Sequence, residues 1–155
     1  MRIANWNLAG EEYARVLGWA ARLHEIGLTI AHNQYHKHGA YLIEHGDMPG
    51  FSRQDQELLA ALVRGHRRKF PVAVFRDLAQ GSTARRLCVL LRLAILLHRS
   101  RSRQTIPRFS VTVTEKTMRI KFPRGWLAKH PLTMADLKQE AEYIKDADVR
   151  LLIAH

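Results

Sequence analysis

The sequence predicts a mainly α protein, a helical bundle over residues 1–104 followed by a small α+β subdomain of β-β-α-β order over residues 105–155. Three observations carry this expectation. Apolar residues recur at helical spacing from Leu8 to His98, and Gly and Pro punctuate the runs. After Ile106-Pro107 the period changes from helical to alternating, which is the spacing of a strand. At 155 residues and 46% hydrophobic content, the chain can bury one substantial core and carry a small appendage.

The first helix is expected from Leu8 to Ile26, with Leu8, Tyr13, Val16, Leu17, Ala20 and Leu23 at helical spacing. Gly27 would end it in the left-handed conformation. His24 and Glu25 then fall in its last turn, about 100° apart around the axis, so they share a site only at the helix end. A second helix, Tyr35 to Glu44, stops at Gly46, and Met48-Pro49-Gly50 is a turn. Ser52 caps a third helix, Arg53 to about Gly65, with Asp55 in its first turn complementing the helix dipole. Leu58, Leu59, Leu62 and Val63 face the core.

Pro71 opens a short helix through Leu78. Thr83 to about His98 reads as the long central helix, apolar on most sides although Arg92 interrupts it. Its apolar run is far too short to span a bilayer. In the second part, Phe109, Val111 and Val113 share one strand face while Ser110, Thr112 and Thr114 share the other. Glu115-Lys116-Thr117 turns the chain, and Met118 to Phe122 returns as the second strand of a hairpin. Pro123, Gly125 and Pro131 bound a short turn around Trp126. Thr133 with Asp136 opens a helix to about Lys145, and Val149 to Ala154 is the third strand, which such a sheet needs for stability.

Twenty-five Lys and Arg against 14 Asp and Glu leave a formal net charge of +11, which points to a polyanionic partner. Much of this charge sits at helix ends. Arg64, His66, Arg67, Arg68 and Lys69 close the third helix, and His98, Arg99, Arg101 and Arg103 close the long one. Cations complement the dipole there, but the runs exceed what capping uses. Arg85 and Arg86, at the start of the long helix, oppose its dipole and serve charge or an interface instead. The single cysteine, Cys88, lies in RLCVLLRLAILL and can form no internal disulfide, which fits a cytoplasmic protein with a buried inert thiol. The start, MRIANWNLAGEEY, has no apolar core of signal-peptide length.

Between Ala20 and Pro71 the chain gathers most of its nine histidines. His24-Glu25 closes one helix, His36 and His38 open the next, and His66-Arg67 ends the third. This order resembles the HD phosphohydrolase superfamily, a helical fold whose metal sites draw on a His-Asp doublet, later histidines and a distant aspartate. Three positions depart from that pattern. Glu25 stands for the aspartate of the doublet, Arg67 for a histidine, and Ile95 for the late aspartate. An isoleucine has no lone pair and a guanidinium only donates, so the resemblance implies a vestigial site at His24, Glu25, His36, His38 and Ile95 with no metal.

LHEIG, YHKHGAYLI, GFSRQDQELLAALVRGHRRK and LLRLAILL resemble, in that order, the carboxyl-terminal region of the exopolyphosphatase and guanosine pentaphosphate phosphohydrolase family. The resemblance implies a parent enzyme that releases terminal phosphate from polyphosphate, or the 5′ phosphate of guanosine pentaphosphate. Catalysis and its magnesium would reside in an actin-like amino-terminal half, and the enzyme would be a homodimer. This chain would hold no catalytic residue and no cofactor. It would help bind inorganic polyphosphate through Arg64, His66, Arg67, Arg68, Lys69, Arg99, Arg101 and Arg103, because each neutralised phosphate releases counterions and Arg donates two hydrogen bonds at once.

Two other readings use the same residues. A stand-alone module could bind RNA or DNA nonspecifically, although Trp6, Trp19, Phe51, Phe70 and Phe75 fall within or beside helical patterns and look like core rather than stacking platforms. An active HD phosphohydrolase would take His24, Glu25, His36 or His38, and His66 as metal ligands, with Arg67 repelling the cation.

Overall fold

The computed structural model describes Trp6, Leu8, residues 10–99 and residues 106–154. The chain divides into two compact units, Gly10–Arg92 and a second formed by Met1–Ala9 with Leu93–His155. The boundary expected after residue 104 lies outside the described residues. The fold is mainly α with a small α+β part, as the periodicity predicts.

The first unit holds α1 (Glu11–Leu23), α2 (Tyr35–His45), α3 (Arg53–Gly65), α4 (Val72–Arg76) and the beginning of α5 (Gly81–Arg99). α1 opens on Glu11 and Glu12 and closes on Arg22, charges that match its dipole, and it buries Val16 and Ala20. It is shorter than expected at both ends. The chain leaves it through a tight 3₁₀ turn, Ile26–Thr29, which packs against α2. Gly27 does not adopt the left-handed conformation expected of it; the described glycines with positive φ are Gly50 and Gly125. It is required for a different reason. A Cβ on Gly27 would collide with the Tyr35 carbonyl and lie 2.6 Å from the Gly39 nitrogen, so only glycine lets the two backbones meet.

α2 and α3 form a hairpin. Gln56 donates its side-chain amide to the carbonyls of Ile43, Glu44 and Gly46 at 2.7, 3.2 and 2.9 Å, joining the end of α2 to the start of α3. Ser52 caps α3 as expected, its hydroxyl accepting from the Asp55 N–H at 3.1 Å. Leu59, Leu62 and Val63 are buried and Leu58 is half-buried. Phe70 and Phe75 stack at 4.8 Å, and Trp19 and Phe51 meet at 4.4 Å, so these aromatics belong to the packing. At Gly65 a Cβ would lie 2.8 Å from Cys88 Sγ, which shows how closely the end of α3 approaches α5.

Arg92 does not interrupt the apolar face of α5 in the way its charge suggests. It is 2% exposed, and its guanidinium donates to the carbonyls of Gly65 (2.5 Å) and Arg68 (2.6 Å). Charge-assisted hydrogen bonds of this kind contribute about 1.5–3 kcal/mol each. A buried cation is tolerated here because the carboxyl end of α3 presents carbonyls that have no partner within the helix.

The second unit carries one sheet of order β1-β2-β3. β1 (Ser110–Val113) and β2 (Thr117–Lys121) form the expected antiparallel hairpin, with Ser110 opposite Lys121. β3 (Arg150–Ala154) lies parallel to β2, with α6 (Pro131–Ile144) as the crossover. α6 begins two residues earlier than the Thr133 expected. Pro131 occupies its first turn, where the missing N–H and the fixed φ suit a helix start. Met118 and Ile120 are buried while Arg119 and Lys121 are exposed, the alternation of a sheet with one covered face. Phe109, expected to face inward with Val113, is 37% exposed.

Trp6 belongs to this unit rather than to the helices that follow it in sequence. Its side chain is fully buried and its indole N–H donates to the Thr114 carbonyl at 2.6 Å. Among the described residues no helix is long and apolar enough to cross a membrane.

Candidate functional site

The site lies in the first unit, where the ends of α1 and α3 meet the start of α2. His24 is the residue that closes α1, His36 stands in the first turn of α2, and His66 closes α3. The His24 and His66 rings meet edge to face at 5.2 Å, and His36 lies 6.3 Å from His66. Tyr35 joins them, its ring 5.6 Å from His66, and the Arg67 guanidinium stands 4.5 Å above the Tyr35 ring. Helix geometry brings these residues together because each sits at a helix end, where the backbone turns away and leaves room for side chains.

Two backbone carbonyls set the tautomers. His24 donates Nδ1–H to the Ala21 carbonyl at 2.7 Å, and His66 donates Nδ1–H to the Val63 carbonyl at 2.5 Å. A carbonyl only accepts, so Nδ1 carries the proton in both rings. His66 is 3% exposed, and burial, with His24, His36 and Arg67 nearby, pushes its pKa down to about 3 against the opposing pull of the Val63 carbonyl. The ring is therefore neutral at pH 7, and Nε2 presents a lone pair with no hydrogen-bond partner among the described residues. His36, 6% exposed, is lowered to about 4, first by burial and then by Arg67, Arg64, Lys37 and Arg68. Its Nδ1 and the Arg67 Nε are likewise buried without a partner.

Glu25 lies beyond the end of α1, with Oε1 3.9 Å from His24 Nε2, too long for a hydrogen bond. His38 is half-buried on α2, two residues from His36 and so on another side of that helix. Ile95 is half-buried on the part of α5 that belongs to the second unit, as is the exposed Arg99. Arg101 and Arg103 lie outside the described residues. Arg64 and Arg67 are half-buried, and Arg68 and Lys69 are exposed.

An HD-type metal does not fit these residues. Among the described residues no group of three or more His, Cys, Asp and Glu is arranged to hold a metal ion, and the Arg67 charge that depresses His36 would repel a cation from the same place. What the arrangement offers is a strongly basic turn, Arg64 to Lys69, fixed from beneath by Arg92. Arg68 adopts φ 61°, a left-handed conformation unusual for a side-chain-bearing residue, and its carbonyl is one of the two that Arg92 holds. Sequence reasoning overlooked Arg92 and Tyr35. Arg92 could have been found as a charge at a core position of the most apolar helix, where a cation needs a buried acceptor.

The helical unit, its histidine cluster and the small α+β part together define a domain of phosphatase type. Residues 1–141 match domain III of the Ppx/GppA phosphatase family, and the chain belongs to that family, in its carboxyl-terminal region. It is 35% identical over 139 residues to a guanosine-5'-triphosphate,3'-diphosphate pyrophosphatase of Pseudoalteromonas translucida, covering 89% of this chain and 28% of that protein. The enzyme of the same name from Aeromonas hydrophila is 36% identical, with 88% and 28% covered. That of Vibrio cholerae is 37% identical over 126 residues, with 81% and 25% covered. The chain thus spans little more than a quarter of the length of these curated relatives.

Proposed function

We propose that this domain grips the phosphates of a phosphoanhydride substrate and serves a catalytic half that it does not itself contain. The basic turn between α3 and α4 carries the reading. Arg68 and Lys69 are exposed, Arg64 and Arg67 flank them, and Arg92 fixes the backbone that presents all four. A fixed array of cations loses little entropy when it takes up a chain of phosphates, and each contact releases counterions.

The substrate is guanosine pentaphosphate, as the relatives' name suggests, or inorganic polyphosphate, which the same charges suit. The attacking water and magnesium belong, in this reading, to an actin-like amino-terminal half, and the apolar residues of α5 serve core or a homodimer contact. This chain's own part is to bind and orient, without metal and without a catalytic residue.

The test is a calorimetric titration of the chain with polyphosphates of graded length and with single-stranded RNA at matched phosphate, at two salt concentrations. Affinity is expected to rise with polyphosphate length, to exceed that for RNA, and to fall about tenfold when Arg68 and Lys69 are both changed to Ala. Equal or tighter binding of RNA would reduce the site to generic polyanion attraction. No binding to either would leave dimerisation as the role of the domain, which light scattering would then detect.

A further inference from the structure

A groove of about 550 Å³ opens between α2, α3 and α4, on the helix faces that carry Lys37, Tyr41 and Glu44 from α2 and Glu57 and Arg64 from α3. Its volume falls within the usual range of small-molecule sites. The groove exists because Ala40, Ala60 and Ala61 form its floor, and larger side chains there would close it.

Its charge is polarised. The α2-α3 hairpin is antiparallel, and Gln56 joins the start of α3 to the carbonyls at the end of α2. Glu44 and Glu57 therefore share one end of the groove. Lys37 and Arg64 share the other, and both depress the proton affinity of the neighbouring His36. Seven residues separate Lys37 from Glu44, about 10 Å along the helix. Lys37, Glu44 and Arg64 form no ion pair among the described residues, so they remain available to a ligand.

Tyr41 stands between the two ends, 60% exposed, the most exposed aromatic side chain of the described core elements. It lies four residues after Lys37 and three before Glu44, and so on the same face of α2. His45 stacks against its ring at 4.3 Å and 28°, which holds the ring in place. An exposed aromatic ring at the centre of a groove, with cations at one end and carboxylates at the other, is complementary to three parts of one ligand class.

We infer that this groove binds a guanine nucleotide, with its phosphates at Lys37 and Arg64, its base on Tyr41, and the base's N–H donors on the carboxylates of Glu44 and Glu57. Guanine suits the acidic end because its N1–H and exocyclic amine are adjacent donors, and an ionised carboxylate only accepts. Inorganic polyphosphate fits worse, since it would gain the cations and meet repulsion from Glu44 and Glu57. The inference uses residues outside the basic turn that carries the proposed function, apart from Arg64 at their junction.

The test is calorimetric titration of the 155-residue chain with GTP and, separately, with inorganic tripolyphosphate. GTP is expected to bind about tenfold more tightly, the worth of one stacked base. Tyr41→Ala and Glu44→Gln, both at exposed positions, are expected to remove most of that advantage while leaving tripolyphosphate affinity undiminished. Circular dichroism of both variants checks that the helices persist. Inosine triphosphate, which lacks the exocyclic amine, is expected to fall between the two ligands. Equal affinity for GTP and tripolyphosphate, or a GTP advantage that survives both substitutions, overturns the inference. Changing Arg68 and Lys69 to Ala tests the other reading separately, since it lowers tripolyphosphate affinity only if the basic turn is the phosphate grip.

Discussion

Arg92, near the middle of α5, donates to the carbonyl of Gly65, the last residue of α3, at 2.5 Å, and through its second amino group to Arg68. One side chain therefore closes a helix end and sets the backbone of the basic turn beyond it. The packing of α5 and the presentation of the phosphate-facing cations are coupled through this contact.

Replacing Arg92 by Met removes the charge while keeping most of the volume. The Gly65 and Arg68 carbonyls lose a buried donor, and unfolding free energy is expected to fall by about 2–4 kcal/mol. Urea denaturation measures the loss, and a change below about 0.5 kcal/mol would show that water replaces the guanidinium.

Gly27 and Gly18 make a matched pair. Gly27→Ala forces a Cβ onto the Tyr35 carbonyl and is expected to destabilise the fold by about 3 kcal/mol. Gly18, inside α1, has nothing within 4 Å of an added Cβ, so Gly18→Ala is expected to stabilise by about 0.5–1 kcal/mol. Thermal melts of the two variants should move in opposite directions. A shared direction would contradict the close approach assigned to Gly27.

His36 and His66 bear on the acid limit of stability. Both titrate below 6.5 in the folded state, at about 4 and about 3. The unfolded chain thus takes up protons that the folded chain refuses. The resulting stability is fully present above about pH 6.5 and is lost as pH falls through about 4 and then about 3, at up to about 1.4 kcal/mol per pH unit for each ring. Urea unfolding between pH 7.5 and 4.5 should show the decline, and His66→Gln should make it shallower. Parallel profiles for the two proteins would exclude His66 as a contributor.

Arg67→Ala removes the largest charge effect acting on His36, so the His36 pKa is expected to rise towards its ordinary value, though burial keeps it below. Imidazole carbon-bound proton shifts followed by NMR report the titration directly. An unmoved His36 would mean that the Arg67 charge is screened from it.

Ser52→Ala tests the cap of α3. Loss of the hydroxyl that accepts from the Asp55 N–H is expected to cost about 1 kcal/mol, read by urea denaturation. Ser52→Asp should retain most of the stability, because an aspartate caps as well.

Most of the architecture was legible in the order of residues. The α2 and α3 spans, the Ser52 cap and the hairpin from Ser110 to Lys121 follow from period, capping chemistry and turn residues, which act over a few positions. The expectation for Gly27 missed its role because a glycine before a turn looks the same whether it needs a positive φ or a neighbour's backbone. α6 began at Pro131 rather than Thr133 because proline at a first turn competes with a hydroxyl cap, and local rules rank the two poorly.

The sequence by itself determined the mainly α class, the excess of positive charge, and the family to which the chain belongs. Those properties depend on composition, period and local motif. Only the tertiary structure decided that His24, His36 and His66 meet, that Arg92 is buried against Gly65 and Arg68, and that Trp6 joins the sheet unit at Thr114. Each of the last two links residues far apart in the chain, and the histidine cluster draws on three separate helices. Their physical cause is the packing of helix ends and the need of buried polar groups for partners, which no local pattern records.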